Sequence, residues 1–204
     1  MSEIYALSDD ALTPPQTIFS QIDEILRCGV KLVQYRSKLA AQDEALIRSL
    51  IGLCEDYGAK LIINDDAALA KKLGAHGVHI GEGDGETAQV REFLGADKIV
   101  GVSCYADLAR AQKAEAQGAS YVAFGSLRRS KTKPDAPLCS DELVQEARKS
   151  LNLPIAVIGG INLENLNEIL ALKPDYIAMA EAIYKPASIT QNLANLKEKM
   201  DEYI

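Results

Sequence analysis

The chain has 204 residues, 48% of them hydrophobic and 25% charged, with a formal net charge of -7. That is a globular composition, long enough for one domain with a large core. It excludes a general nucleic-acid binder, because no basic field covers the surface, and a membrane helix, because no apolar run approaches the roughly 20 residues needed to span a bilayer.

The first residues, MSEIYALSDD, are acidic and lack an apolar signal-peptide core, so a soluble, cytoplasmic protein is expected. A first strand is predicted at IYALS from Ile4. A helical pattern, PQTIFSQIDEILRCG, opens after proline and closes at Gly29. The second strand is KLVQYR from Lys31, followed by the helix DEALIRSLIGLCEDYG, which closes at Gly58. The third strand, KLIIND from Lys60, leads into DAALAKKLG, and the fourth, GVHIG from Gly77, leads into ETAQVREFLG. The fifth, KIVGVS from Lys98, leads into DLARAQKAEAQG, and the sixth is YVAFGS from Tyr121. The seventh strand, PIAVIGG from Pro154, precedes NLENLNEILALK, with Asn162 as the expected N-cap and Leu163, Leu166, Ile169 and Leu170 on one face. The eighth strand is YIAMAEA from Tyr176.

Runs that are apolar on both faces suit parallel strands buried on both sides. Eight strand–helix units without a composition break predict an α/β chain folded as one (β/α)8 TIM barrel over 1–204. An open doubly wound sheet is the alternative, but no GxGxxG follows the first strand. In a barrel the active site lies where strands end and the following loops begin. Polar residues collect at those ends: Gln34, Arg36 and Lys38 after the second strand; Asn64, Asp65 and Asp66 after the third; Glu82 and Asp84 after the fourth; Ser103 after the fifth. The seventh strand ends in Gly159 and Gly160, where a backbone open to phosphate is expected.

After the sixth strand comes FGSLRRSKTKPDAPLC, in which Arg128, Arg129, Lys131 and Lys133 crowd into an otherwise acidic chain. Such a cluster suits a small anion. Structural alternatives stand beside these residues: Gln34, Arg36 and Lys38 form a solvated strand end, Asp65 or Asp66 caps the next helix, Asp84 serves a turn in GEGDG, and Ser103 is a satisfied core hydroxyl. His79 reads as a barrel-core or helix-packing residue. No HxH, HExxH or CxxC pattern is present, and Cys28, Cys54, Cys104 and Cys139 are expected to be reduced thiols.

Two separated carboxylates, Asp65 and Asp84, suit a hard divalent ion such as Mg2+. Arg36, Lys38 and Lys133 suit a diphosphate. Gln34 and Asn64 can orient polar atoms, and Ser130, Thr132 and the two glycines offer a second, monophosphate position. In this order QYRSK, INDD, GVHIGEGD, GVSC, FGSLRRSKTK and IAVIGGI resemble the thiamine phosphate synthase family over nearly the whole chain. The resemblance implies a transferase that joins a pyrimidine diphosphate to a thiazole phosphate with release of pyrophosphate, by a dissociative Mg2+-assisted route.

It also implies that Gln34, Arg36, Lys38, Asn64 and Lys133 hold the pyrimidine diphosphate and that Asp65 and Asp84 bind Mg2+. Ser103 would contact the pyrimidine or its diphosphate. Ser130, Thr132 and the backbone at Gly160 would receive the thiazole phosphate. Arg36, Lys38, Ser103 and Lys133 are thereby the expected catalytic residues. The chain departs from the family at Ser37, where glutamate is common, at Arg129 and Ser130, and at Glu181, where serine is common. Rival readings are a TenI-like barrel without synthase activity, a sugar-phosphate epimerase and a phosphate-ligand sensor. No nucleic-acid or membrane partner is expected, and a homo-oligomer is compatible with the sequence.

Overall fold

The computed structural model describes residues 2–129 and 137–203. Eight strands run parallel: β1 (Glu3–Leu7), β2 (Leu32–Tyr35), β3 (Lys60–Asn64), β4 (Gly77–Ile80), β5 (Ile99–Tyr105), β6 (Tyr121–Phe124), β7 (Ile155–Ile158) and β8 (Tyr176–Met179). Each pairs with its sequence neighbour, and β1 also pairs with β8, so the sheet closes into a barrel. The helices are α1 (Ile18–Arg27), α2 (Glu44–Asp56), α3 (Ala67–Leu73), α4 (Thr87–Leu94), α5 (Leu108–Ala116), α6 (Asp141–Ser150), α7 (Leu166–Ala171), α8 (Glu181–Tyr184) and α9 (Ile189–Glu202). The architecture is the expected (β/α)8 barrel.

Closure divides the core in two, because successive side chains of a strand point to opposite faces. Outward positions such as Ile4, Val33, Ile63, Val78, Val100, Val122 and Val157 join the helices in one aliphatic shell. That shell is packed by helix residues spaced to one face, among them Ile22, Ile25 and Leu26 of α1 and Ile47, Leu50 and Ile51 of α2. Each such side chain, once buried, contributes about 1.5–3 kcal/mol. Inward positions Tyr5, Leu7, Leu32, Ile62, Tyr121, Ala123, Ala156 and Ala178 form a second, smaller cluster inside the barrel.

Helix starts are set by side chains that accept the free N–H groups of the first turn. Asp43 accepts from Ala45 and Leu46, Asp107 from Arg110, Ser140 from Leu143 and Ser188 from Gln191. Gly74 ends α3 in the left-handed conformation that a side chain at that position would resist.

The structure alters several expected boundaries. Strand β2 stops at Tyr35, so Arg36 and Lys38 project from a loop rather than alternating along a strand. Asn162 does not cap a long seventh helix. Its Oδ1 accepts from the N–H groups of Glu164 and Asn165, closing a preceding turn, and α7 begins at Leu166. Leu163 is therefore exposed, while Leu166, Ile169 and Leu170 are buried. The eighth strand stops at Met179, so Glu181 and Ala182, expected at its end, open helix α8; α6, α8 and α9 are not among the expected helices. Helix α6 has few apolar residues, but Val144 and Ala147 still bury one face.

Candidate active site

The polar residues foreseen at the strand ends meet at one mouth of the barrel. Gln34 is the third residue of β2 and is buried. Arg36 follows in the loop, half-buried, held by a two-way contact with Ser8. Its N–H donates to Ser8 Oγ at 2.7 Å, and Ser8 Oγ donates to its carbonyl at 3.1 Å. Its guanidinium lies 3.6 Å from Asp9 Oδ2. The Lys38 N–H donates to Asp10 Oδ2 at 2.8 Å, which anchors that backbone while its exposed side chain extends beyond.

Asn64 closes β3, and the two aspartates after it divide the work. Asp66 is the helix cap, accepting from the Leu69 N–H. Asp65 is left free of capping, and its backbone sits at φ 64°, a conformation uncommon for a residue with a side chain. That bend is held by its own N–H, which donates to the His79 carbonyl at 2.7 Å. The Asp65 carboxyl is raised from its ordinary value, first by desolvation and then by Asp84 beside it, with Asn64 and Arg36 opposing the shift. Asp84 also closes a turn, because its Oδ2 accepts from the Gly81 N–H at 2.7 Å. The structural and functional readings of Asp84 are thus compatible in one side chain.

A carboxyl whose proton affinity is raised by a neighbouring carboxylate sits where a divalent cation would also be favoured. Among the described residues no group of three His, Cys, Asp or Glu side chains comes together. A pair of hard oxygen donors with the rest of the shell left to water and phosphate fits Mg2+ better than zinc, which takes three or four protein ligands.

Below the rim lies a chain of polar side chains. Gln34 Nε2 donates to the Tyr5 hydroxyl at 2.8 Å, which lies 2.9 Å from the Tyr121 hydroxyl. The Tyr121 hydroxyl lies 2.8 Å from His79 Nδ1, and His79 Nε2 lies 2.9 Å from Ser103 Oγ. Gly101 makes room for this. A Cβ there would come within 2.1 Å of the Tyr121 ring, and without one Tyr121 stacks on His79 with centroids 5.6 Å apart. Burial depresses the His79 imidazole to about 4 and raises both tyrosine hydroxyls. His79 is therefore a neutral barrel-core residue.

At the far side of the mouth, Gly159 and Gly160 both have positive φ. A Cβ on Gly160 would lie 2.5 Å from the Arg129 carbonyl oxygen, and one on Gly159 2.0 Å from Ser126 Oγ. The two glycines let the loop after β6 dock on the end of β7, where the Arg128 N–H donates to the Gly159 carbonyl at 3.0 Å. Ser130, Thr132 and Lys133 lie outside the described residues.

Comparison with known proteins bears directly on this arrangement. The family model described as thiamine monophosphate synthase matches residues 4–183. The chain belongs to the thiamine monophosphate synthase family. A thiamine-phosphate synthase of Nitrosococcus oceani is 44% identical over 190 residues, 91% of this chain and 87% of that protein. Another, from an Azoarcus species, is 42% identical over 192 residues, 92% of each chain. Among solved structures, a thiamine phosphate pyrophosphorylase from Pyrococcus furiosus superposes with a TM-score of 0.88 at 27% identity, covering 99% of this chain and 96% of that one.

Ser37, Glu181 and Arg129, expected to depart from the family pattern, and Arg128 beside them have the following surroundings. Ser37 accepts from the Leu39 N–H at 3.2 Å and so shapes its own loop. Glu181 is exposed at the start of α8. Arg128 makes a paired contact with Asp141 at 2.8 and 2.9 Å and reaches Glu168 at 3.0 Å, tying the loop after β6 to α6 and α7. Arg129 is exposed.

The four cysteines are free thiols. Among the described residues no helix is long and apolar enough to cross a membrane. Sequence reasoning missed Tyr5 and Tyr121. The available signal was two tyrosines inside short strands, one of them in register with a glycine: Tyr121 pairs with Gly101, which pairs with His79.

Proposed function

We propose that the protein condenses an aminopyrimidine diphosphate with a thiazole phosphate, forming thiamine phosphate and releasing pyrophosphate. One observation carries the reading. In a chain of this family, Gln34, Arg36, Asn64, Asp65, Asp84 and Ser103 leave four consecutive strands, β2 to β5, at one mouth of the barrel.

In this reading Gln34, Arg36, Lys38, Asn64 and Lys133 hold the pyrimidine diphosphate. The Arg36 guanidinium presents paired donors to phosphate oxygens, while Lys38 and Lys133 supply compact charges. Asp65 and Asp84 would hold Mg2+, which when bound supplies positive charge to the diphosphate oxygens. As the carbon–oxygen bond to the diphosphate breaks, its electron pair leaves with the diphosphate, and Arg36, Lys38 and Lys133 stabilise the growing negative charge. The pyrimidine methyl cation left behind accepts the lone pair of the thiazole nitrogen. Ser103 contacts the pyrimidine or its diphosphate, and Ser130, Thr132 and the backbone at Gly159 and Gly160 receive the thiazole phosphate.

The test is direct. Purified protein given both substrates and Mg2+ should release pyrophosphate and form thiamine phosphate. No product over a broad range of pH and metal would overturn the reading, and binding of the thiazole phosphate without turnover would mark a TenI-like barrel instead.

A further inference from the structure

Hydrogen-bond accounting gives the buried chain Gln34–Tyr5–Tyr121–His79–Ser103 a direction. A tyrosine hydroxyl has one proton to donate. The Tyr5 oxygen accepts from Gln34 Nε2; either hydroxyl could donate across the 2.9 Å to Tyr121, and the arrangement that leaves no buried proton without an acceptor sends the Tyr5 proton to the Tyr121 oxygen. The Tyr121 proton then goes to His79 Nδ1 at 2.8 Å. A neutral imidazole whose Nδ1 accepts carries its proton on Nε2, and that proton goes to Ser103 Oγ at 2.9 Å. The Ser103 hydroxyl proton is thereby free to point into the mouth. At the other end, Gln34 Oε1 has no partner among the described residues.

We propose that Tyr5, Tyr121 and His79 are positioning residues, which fix Gln34 as an acceptor and Ser103 as a donor towards one bound ligand. The two ends are coupled. Turning the Gln34 amide round would reverse every bond in the chain, shift the His79 proton to Nδ1 and direct the Ser103 proton at His79. A ligand that takes a hydrogen bond from Ser103 is therefore one that gives a hydrogen bond to Gln34. A heteroaromatic ring with an amino group and a ring nitrogen meets both requirements. The inference rests on the reading that Gln34 and Ser103 touch the pyrimidine diphosphate.

Two measurements test it. Nitrogen NMR of the His79 imidazole in the ligand-free protein, assigned by comparison with His79→Gln, should show the Nε2–H tautomer. The Nδ1–H tautomer would overturn the stated polarity, and this readout stands even if the proposed reaction fails. The second is a double-mutant cycle. Tyr121→Phe should raise KM for the pyrimidine diphosphate about tenfold, the value of one hydrogen bond, and leave KM for the thiazole phosphate unchanged. In a Ser103→Ala background the same substitution should have little further effect. Equal effects in both backgrounds, or equal rises in both KM values, would reduce Tyr121 to a packing role. Tyr5→Phe repeats the cycle if Tyr121→Phe does not fold.

Discussion

The barrel wall has two sides, and they obey different rules. Its outer side is an aliphatic shell in which Val33, Ile63, Val78, Val100 and Val157 meet helix residues such as Ile47 and Leu50. Dispersion and burial are non-directional, so volume and apolarity suffice there. The inner side carries a line of hydroxyl, imidazole and amide groups, each needing a partner at one distance and one angle. The shell holds the fold, and the interior places the site.

The largest expected separation of the two sides is at the rim. Asp84→Asn keeps an acceptor for the Gly81 N–H and removes a charge, so turnover should fall about 100- to 1,000-fold while the melting temperature holds. Pyrophosphate release across a Mg2+ titration measures this, and unchanged turnover would remove Asp84 from the metal site. On the shell, Leu50→Ala should cost about 3 kcal/mol of stability and leave kcat intact at a temperature where the protein stays folded. Denaturant unfolding and steady-state rates check it together.

A similar cost should come from acid acting on the interior. The unfolded chain takes up a proton at His79 near 6.5, whereas the folded protein does so only near 4. Unfolding therefore binds a proton throughout that window. The stability difference between wild type and His79→Gln should shrink by about 3 kcal/mol as pH falls from 6.5 to 4 and stay flat above 6.5. Gly101→Ala should cost about 1–3 kcal/mol, because the new Cβ meets the Tyr121 ring. It should also lower turnover, which Leu50→Ala does not. The smallest effect should be Arg129→Ala, an exposed position, which should disturb KM less than Lys133→Ala. The reverse order would mean that the basic loop is misread.

Much of this was legible in the chain. Strand and helix periods, and the glycines that close α3 and its neighbours, announced the barrel. The barrel rule then pointed to Gln34, Arg36, Asn64, Asp65, Asp84 and Ser103 at the strand ends. The interior was not legible, and the reason is closure. In YVAF all four residues are buried, because a parallel strand is covered on both faces. Nothing in that run says whether Tyr121 or Val122 faces inward.

The sequence by itself determined the order of elements, the acidic character and the residue types at the mouth. These depend on local period and on which side chains follow each strand. Only the tertiary structure decided which aspartate is a cap and which is free. Asp65 owes its bend to the carbonyl of His79, 14 positions along the chain. It also decided that Arg128, in the basic loop, pairs with Asp141 and Glu168. Finally, it joined Tyr5 to Tyr121 across 116 positions. Hydrogen bonds are short and directional, so such partners exist only once the barrel has closed.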